Sequence, residues 1–330
     1  MSIQKEINRL YSKLSHVGFN EGYCKIIAPL TLEINNLKKA KDTVILAHSY
    51  QTPDIMFGVA DYIGDSYQLG KIAQEVKEKR ILFCGVRFMA ETAKILNPKK
   101  EVIIPAVGAG CSLADSITGA DVRKLRLKYP GRPVVAYVNT SAEVKAEVDV
   151  CVTSSNAVGI INALESDEVV FLPDSLMGRN LAEMTGKRII TWNGKCIVHE
   201  DFRAEKIARF RNLHNGVAVM VHSECSPEVV ASADYVGGTQ GMIQYMKDTT
   251  APFYMMVTEC GLSDRMKIEM PEKEIVGMCS LCPYMKMNTL PLILKALSAP
   301  APGQVVQIEA GLRARAEKSL KKMYEYAKNL

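Results

Sequence analysis

The chain repeats itself at a step of about 85 residues, and this repeat limits how it can fold. The stretch that begins at Val134 aligns with the stretch that begins at Val217, and a third copy begins at Val44. Each copy contains a strand pattern, a polar turn, a short helix, a second short strand and a turn rich in Gly, Ser and Thr. Repeats of this kind are small supersecondary units. The sequence therefore predicts three related α/β domains of about 85–90 residues each.

Eight short apolar runs supply the strands. Most are continuous rather than alternating, which is typical of parallel strands covered by helices on both faces. We predict an α/β fold of three homologous three-layer domains with parallel sheets around a pseudo-threefold axis, and an active site at the centre. The runs are 43–48, 80–85, 101–106, 133–138, 168–173, 187–192, 217–222 and 253–258. The predicted segments are an N-terminal helical segment (1–36), three α/β repeats (37–110, 111–195 and 196–297), and a linker with a C-terminal helix (298–330).

Polar residues fall at equivalent places in the three copies. Residues i and i+2 at a strand end face the same way, and His, Glu and Tyr are general acid and base types. Hydroxyl groups at a helix N-terminus suit anions, although simple capping is the commoner use of Ser and Thr there. The strand-end pairs are His48 and Tyr50, Tyr137 and Asn139, and His222 and Glu224; the hydroxyl positions are Ser66, Ser154 and Thr239.

Three cysteines follow the same step. Cys111, Cys196 and Cys282 are 85 and 86 residues apart, and each follows a predicted strand. Three converging thiolates suit either a tetrahedral zinc with an open fourth position or a 4Fe-4S cluster with one iron free of protein ligands. Cys279 is an alternative to Cys282, and His199 lies next to the candidate ligand Cys196 in the chain.

Composition and missing motifs exclude several classes of protein. The net charge of +5 suits small anionic substrates but is too low to indicate nucleic-acid binding. No apolar run approaches the ~18–20 residues that span a bilayer, and the N-terminus lacks the apolar core of a signal peptide. We therefore expect a cytoplasmic protein whose nine cysteines form no disulfide framework. Neither a GxGxxG motif nor a P-loop occurs, which argues against a dinucleotide enzyme and an NTPase.

Several unusual motifs give the chain a resemblance to a known family. It resembles the quinolinate synthases of bacterial and archaeal NAD biosynthesis over nearly its whole length. The motifs are AHSYQTPDI (47–55), GDSYQL (64–69), FCGVRFMAETAKILNP (83–98), GCSLAD (110–115), YVNTSAEVKA (137–146), VTSSNA (152–157), WNGKCIVHE (192–200), HSEC (222–225) and CPYMKMN (282–288).

The resemblance implies a reaction and a role for each candidate residue. It implies condensation of iminoaspartate with dihydroxyacetone phosphate to quinolinate, with release of phosphate and two waters, and coupling to an aspartate-oxidising enzyme. It implies that Cys111, Cys196 and Cys282 hold a 4Fe-4S cluster. Tyr50 then resembles an acid/base residue and Glu224 a base near the cluster. The implied substrate contacts are His48, His199, His222, Tyr137, Asn139, Ser66, Ser154 and Thr239.

Two positions depart from the family pattern, and two other classes of function remain open. Ser223 stands where the family usually has proline, and Gly238 stands where it usually has serine. The first departure loosens the backbone before Glu224, and the second removes a hydroxyl donor. The alternatives are a zinc hydrolase with three thiolate ligands and a non-catalytic iron–sulfur sensor.

Overall fold

The computed structural model describes residues 2–328 and contains three parallel four-stranded sheets. The orders are β2-β1-β3-β4, β6-β5-β7-β8 and β10-β9-β11-β12, so all three sheets share one topology. The strands are β1 (Thr43–His48), β2 (Tyr62–Gly64), β3 (Arg80–Cys84), β4 (Glu101–Ile103), β5 (Val134–Tyr137), β6 (Val150–Val152), β7 (Glu168–Leu172), β8 (Arg188–Thr191), β9 (Val217–His222), β10 (Tyr235–Gly237), β11 (Phe253–Val257) and β12 (Ile275–Val276).

Helices connect and cover these strands. They are α1 (Ile3–Leu14), α2 (Glu21–Ala40), α3 (Pro53–Gly58), α4 (Ser66–Glu75), α5 (Arg87–Leu96), α6 (Ser112–Asp115), α7 (Gly119–Lys128), α8 (Ala142–Lys145), α9 (Ala157–Ala163), α10 (Ser175–Thr185), α11 (Ala204–Leu213), α12 (Pro227–Val230), α13 (Thr239–Asp248), α14 (Cys260–Glu269), α15 (Leu290–Ser298) and α16 (Ala310–Ala327). The predicted α/β class is confirmed, and each of the eight predicted strands is present. Strands β2, β6 and β10 correspond to the second short strand of each repeat copy, whereas the two-residue β12 was not predicted.

The internal repeat recurs at the level of single contacts. In each sheet, an aspartate just before the second strand accepts a main-chain N–H of the first strand. The carboxylate of the same aspartate lies 2.8 Å from the cationic group of a Lys or Arg in the helix before the first strand. That Lys or Arg also donates to the backbone carbonyl two residues before the aspartate. The three anchors are Lys38–Asp61, Arg126–Asp149 and Arg211–Asp234. The sequence repeat is therefore a structural repeat.

The chain divides into two compact units. Unit 1 contains the chain up to Ala109, with Glu259–Ile275 and Leu281–Gln307, and it holds the first sheet. Helices α1, α2 and α15 pack together in its core. On α1, Ile7, Leu10 and Leu14 lie at helical steps of three and four residues and are buried, whereas Ile3 is exposed.

Unit 2 contains Gly110–Thr258, Val276–Ser280 and the chain from Ile308 onward, and it holds strands β5–β11. Helix α16 packs on β6 and α8 and buries Ala316, Leu320 and Met323. No helix within residues 2–328 combines the length and apolar character needed to cross a bilayer.

Candidate active site

The first strand of each sheet ends at a predicted site residue. His48 ends β1, Tyr137 ends β5 and His222 ends β9. In each sheet the chain runs from the first strand to one neighbour and later returns to the other neighbour. Ligands of open α/β sheets bind at the carboxyl ends of strands where the order reverses in this way. The shared topology therefore places these three residues at the preferred position in each sheet.

In unit 2, three of the predicted residues surround the buried carboxylate of Glu224. The Tyr137 hydroxyl donates to Glu224 Oε1 at 2.6 Å, and His199 Nδ1 lies 3.1 Å from Glu224 Oε2. His222 Nδ1 lies 3.6 Å from Oε1, and the His199 and His222 rings stack with centroids 4.4 Å apart. Tyr137, His199, His222 and Glu224 are all buried. The structure thus brings together residues that are distant in the sequence.

The charges in this cluster follow from its burial and its pairing. Burial raises the pKa of Glu224, but the adjacent His199 and His222 and the hydrogen bonds from His199 and Tyr137 outweigh it and hold the pKa below its usual value. Burial and the neighbouring His199 lower the pKa of His222 to about 3, against the opposing effect of Glu224. At neutral pH, Glu224 is therefore an acceptor and His222 a neutral ring. The Glu224 amide donates to His222 Nδ1 at 3.3 Å, which assigns the ring proton to Nε2.

The loops of two candidate ligands are joined by one serine. Ser112, directly after Cys111, donates its hydroxyl to the Lys195 carbonyl at 3.0 Å and accepts the Ile197 amide at 3.3 Å. Lys195 and Ile197 are the two neighbours of Cys196. The backbone on both sides of Cys196 is therefore tied to the residue that follows Cys111.

The Cys196 thiol lies among negative or potentially negative groups. Its sulfur is 3.2 Å from His199 Nδ1. Burial, the Glu224 carboxylate and Cys111 all raise the pKa of the Cys196 thiol, against a weaker opposing bond from the His199 backbone amide. A cation bound here would offset the repulsion between these negative groups. The ligand atoms of Cys196, His199 and Glu224 lie within 4.8 Å of one another, so unit 2 offers a donor set able to hold a metal ion.

Two of the predicted hydroxyl residues lie next to each other in unit 2. Thr239 is the buried first residue of α13, and Ser154 lies in the turn before α9. A Cβ atom added at Gly238 would lie 2.2 Å from Ser154 Oγ. The Ser154 side chain therefore occupies the space beside Gly238 that a larger residue would need.

A buried lysine holds the loop that carries Asn139. Lys145 is fully buried, and its Nζ donates to the Val138 carbonyl at 2.8 Å and also to the Thr140 carbonyl. These two carbonyls belong to the residues on either side of Asn139, which is partly buried. The position of Asn139 is thus fixed through its backbone.

Unit 1 repeats the strand-end arrangement. The Tyr50 amide donates to His48 Nδ1 at 3.2 Å, just as the Glu224 amide donates to His222 Nδ1. The His48 and Tyr50 rings meet edge to face with centroids 4.5 Å apart. Ser66 is the partly buried first residue of α4. Two of the three predicted strand-end pairs, His48–Tyr50 and His222–Glu224, therefore share one local geometry.

The nine cysteines differ in their chemical state. Seven are free thiols, including Cys111, Cys196 and Cys282, whereas Cys260 and Cys279 are disulfide-bonded. The oxidised state of Cys260 and Cys279 was not predicted from the sequence. A disulfide-bonded sulfur has no thiolate to offer a metal. Of the two alternatives in the CSLC segment, Cys282 is therefore the one available as a ligand.

The sequence missed two residues that support the buried cluster. Thr258 Oγ1 lies 3.0 Å from His199 Nε2. Asn180 Nδ2 donates to the carbonyls of Ser223 and Cys225, at 2.9 and 2.8 Å, and so holds the backbone on both sides of Glu224. Thr258 ends a predicted strand, so its position in the sequence could have identified it as a candidate site residue. Asn180 lies within a helix and gives no signal in the sequence.

Comparison with known proteins decides the family. Residues 32–325 match the family described as "Quinolinate synthetase A protein". The chain is 47% identical to the quinolinate synthase of Sinorhizobium medicae (strain WSM419) over 315 residues, which cover 95% of this chain and 87% of that protein. It is 42% identical to the quinolinate synthase of Agrobacterium fabrum over 324 residues, which cover 98% of this chain and 91% of that protein.

The chain belongs to the quinolinate synthase family. The family matches over most of the chain, and the resemblance predicted from the sequence motifs is confirmed. The prediction that the chain is an enzyme is confirmed as well, since the curated relatives are quinolinate synthases, enzymes of NAD biosynthesis. Membership of this family implies small-molecule substrates.

Proposed function

We propose that the chain condenses iminoaspartate with dihydroxyacetone phosphate to quinolinate, with release of phosphate and two waters, in de novo NAD biosynthesis. The observation that carries this proposal is the buried cluster of Glu224, Tyr137, His199 and His222 next to the free thiol of Cys196. A reaction that loses two waters needs groups that both accept and donate protons, and this cluster supplies both.

The proposal assigns a 4Fe-4S cluster to Cys111, Cys196 and Cys282. The chemistry of the donors supports this assignment. All three are free thiols, and a backbone amide of His199 bonds the Cys196 sulfur, while amides of Met285 and Tyr284 bond the Cys282 sulfur. Hydrogen bonds to sulfur stabilise the thiolates that ligate iron. When bound, a cluster with one iron free of protein ligands acts as a Lewis acid on the substrate.

Glu224 is the proposed base. Its carboxylate is ionised at neutral pH, and Asn180 fixes the backbone on both sides of it. The Tyr137 hydroxyl, 2.6 Å from Oε1, orients this oxygen. His222 has its ring proton on Nε2 and so presents a neutral donor to a substrate oxygen. Removal of a proton from carbon by Glu224 and donation by His222 are the steps that dehydration requires.

Tyr50 and His48 supply the second proposed group of contacts, from unit 1. The His48 ring accepts the Tyr50 amide, so the two side chains are held in one geometry. We assign Tyr50 as the acid/base residue of isomerisation and ring closure, and His48 as a substrate contact. The Tyr50 side chain is 9% exposed, which leaves a small part of its surface open to a ligand.

Three hydroxyl residues and Asn139 complete the proposed binding set. Ser66 and Thr239 are the first residues of ten-residue helices, where free backbone N–H groups and the helix dipole favour anions. Ser154 lies against Gly238, the residue before Thr239. We assign these positions to the phosphate and carboxylate groups of the substrates, and His199 to a carboxylate. A functional link to an aspartate-oxidising enzyme belongs to the proposal, because iminoaspartate is the oxidised form of aspartate.

A cytoplasmic location is part of the same proposal, and it fits the seven free thiols among nine cysteines. No nucleic acid and no membrane is proposed as a partner.

The second candidate function is zinc-dependent hydrolysis, which the Cys196, His199 and Glu224 donor set favours. Thiolate, imidazole and carboxylate are all common zinc ligands. Zinc analysis of the purified protein separates the two functions.

The direct test is turnover by protein purified without oxygen. We expect quinolinate only when iminoaspartate and dihydroxyacetone phosphate are both supplied, with one phosphate released per quinolinate. Glu224→Gln removes the base and should lower kcat about 100- to 10,000-fold. Glu228→Gln is the matched control, because Glu228 is exposed on the following helix and should leave kcat unchanged. Hydrolase activity without quinolinate would contradict the proposal.

A further inference from the structure

Glu259 is a fully buried carboxylate in unit 1 whose two oxygens both have partners. Oε1 accepts the backbone N–H of Cys282 at 3.1 Å and lies 2.9 Å from Lys286 Nζ. Oε2 accepts the backbone N–H of Gly261 at 2.6 Å and so caps α14. Nothing in the family match gives this residue a role. Its bond to Cys282 connects it to a proposed cluster ligand.

Lys286 extends the same network to the proposed acid/base residue. Its Nζ donates to the Tyr50 carbonyl at 2.6 Å, in addition to its ion pair with Glu259. Helix α14 also begins directly against this carbonyl, since a Cβ atom added at Gly261 would lie 2.8 Å from the Tyr50 Cα and carbonyl carbon. One ion pair, between the buried Glu259 and the partly buried Lys286, therefore connects the backbone of Cys282 with the backbone of Tyr50.

The internal repeat shows that the contacts of Glu259 go beyond capping. Asp174 lies 85 residues earlier and is likewise a buried residue that caps the helix after the third strand of its sheet. Asp174 uses one oxygen for the cap, and its Oδ2 is buried without a hydrogen-bond partner. Glu259 uses one oxygen for the cap and the other for Cys282 and Lys286. The second oxygen of Glu259 thus has contacts that capping does not require.

We propose that Glu259 and Lys286 are positioning residues for the reaction, an inference that rests on the proposed function. Glu259 fixes the backbone that carries the Cys282 thiol, and Lys286 fixes the backbone that carries the Tyr50 ring. An ion pair of this kind adds little net stability, but loss of Lys286 leaves the buried Glu259 carboxylate with an uncompensated charge. The pair is therefore suited to fixing position, and each partner has its own measurable effect.

The thiol arm of the test uses the full-length chain after removal of iron by a chelator. Glu259→Gln replaces an oxygen with an NH₂ group, so the side chain can no longer accept both the Cys282 and the Gly261 amides. We expect iodoacetamide to alkylate Cys282 severalfold faster than in the parent, with the rates at Cys111 and Cys196 unchanged in the same sample. Peptide mass spectrometry measures the three rates. Glu259→Asp serves instead if Glu259→Gln does not fold.

The turnover arm uses anaerobic enzyme with measured iron content. Lys286→Met removes the donor to Tyr50, and we expect kcat to fall roughly tenfold, which corresponds to loss of about one hydrogen bond. Iron content and KM should stay near those of the parent. Lys286→Arg keeps a charged donor and should recover most of kcat. If Lys286→Met acted only by destabilising the protein, Lys286→Arg would not restore kcat selectively.

Lys38→Met is the matched control for both arms. Lys38 is a buried lysine of unit 1 that, like Lys286, pairs with a carboxylate and donates to a backbone carbonyl, here that of Val59. These contacts include neither Cys282 nor Tyr50. If the variants at Glu259 and Lys286 change only the melting temperature, as Lys38→Met should, the positioning proposal is wrong. If the parent itself makes no quinolinate and holds no iron, the proposed function is wrong, and the alkylation rates still decide whether Glu259 positions Cys282.

Discussion

The hydroxyl of Tyr137 donates a 2.6 Å hydrogen bond to Oε1 of Glu224, although the two residues are 87 positions apart. Tyr137 ends β5 and Glu224 follows the end of β9, a strand of a different sheet. Tyr137→Phe removes this donor without changing the shape of the ring. Because the carboxylate is buried, it then lacks one partner that orients it. We expect kcat to fall roughly tenfold with cluster content unchanged. Tyr11→Phe changes an exposed tyrosine and is the control. Unchanged kcat in Tyr137→Phe would show that this bond does not orient the base.

Asn180 fixes the backbone around Glu224 without contacting its side chain. Asn180→Ala leaves the carbonyls of Ser223 and Cys225 without this donor, at a cost of ~1–3 kcal/mol for each unsatisfied buried group. We expect a lower melting temperature together with a lower kcat. Asn162→Ala, at an exposed position of α9, should change neither. A variant that melts earlier but turns over at the parental rate would limit Asn180 to a structural role.

Glu6 is a buried carboxylate that predicts a pH-dependent stability. Burial raises its pKa, but the hydrogen bonds from Arg9 and Thr31 and the charge of Arg9 outweigh burial and lower it below the usual 4.5. A lowered pKa in the folded state stabilises the protein at pH values above the unfolded pKa, and this contribution is lost as the pH falls through the folded pKa.

Glu6→Gln should therefore lower the free energy of unfolding at pH 7 by about 1–3 kcal/mol. The difference between parent and variant should shrink as the pH is lowered below 4.5. Urea denaturation at several pH values measures it, with Glu33→Gln, at an exposed position of α2, as the control. A constant difference down to pH 3 would contradict the assigned ionisation of Glu6.

The Ser154 side chain fills the space beside Gly238. A Cβ atom there would lie 2.2 Å from Ser154 Oγ, so Gly238→Ser must displace the Ser154 side chain. We expect a higher KM for dihydroxyacetone phosphate and a small loss of stability. The double variant Gly238→Ser with Ser154→Ala should regain the stability but not the KM. Equal KM in parent and Gly238→Ser would remove Ser154 from the proposed phosphate contacts.

The sequence predicted the features of the fold that repeat along the chain. The strands and the strand-end positions recur in each copy, so one copy supports the interpretation of the others. The anchors such as Arg126–Asp149 also recur, but they were not predicted. Contacts that occur once are harder to predict. Asn180 reaches Ser223 because α10 packs against α12, and no local pattern encodes that contact. The spacing of the cysteines likewise does not predict that Cys260 is disulfide-bonded, since a disulfide depends on geometry in three dimensions.

Glu259 lies between these two cases. It shares its 85-residue step with Asp174 and caps an equivalent helix, so its position was open to detection. Its contacts with Cys282 and Lys286 depend on how the 281–307 segment folds within unit 1, which the repeat does not specify. Position in the repeat therefore predicts where a residue lies, and packing decides what that residue does.

The central claim is that three thiols hold one iron–sulfur cluster, and anaerobic quantitation of iron and sulfide tests it most directly. The parent should contain roughly four irons and four sulfides per chain. Cys111→Ser, Cys196→Ser and Cys282→Ser should each lose them. Cys151→Ser is the matched control and should keep them, because Cys151 is a buried thiol 3.4 Å from the Ser319 hydroxyl and outside the proposed ligand set. One zinc per chain without sulfide, or a cluster that survives in any of the three ligand variants, would contradict the account.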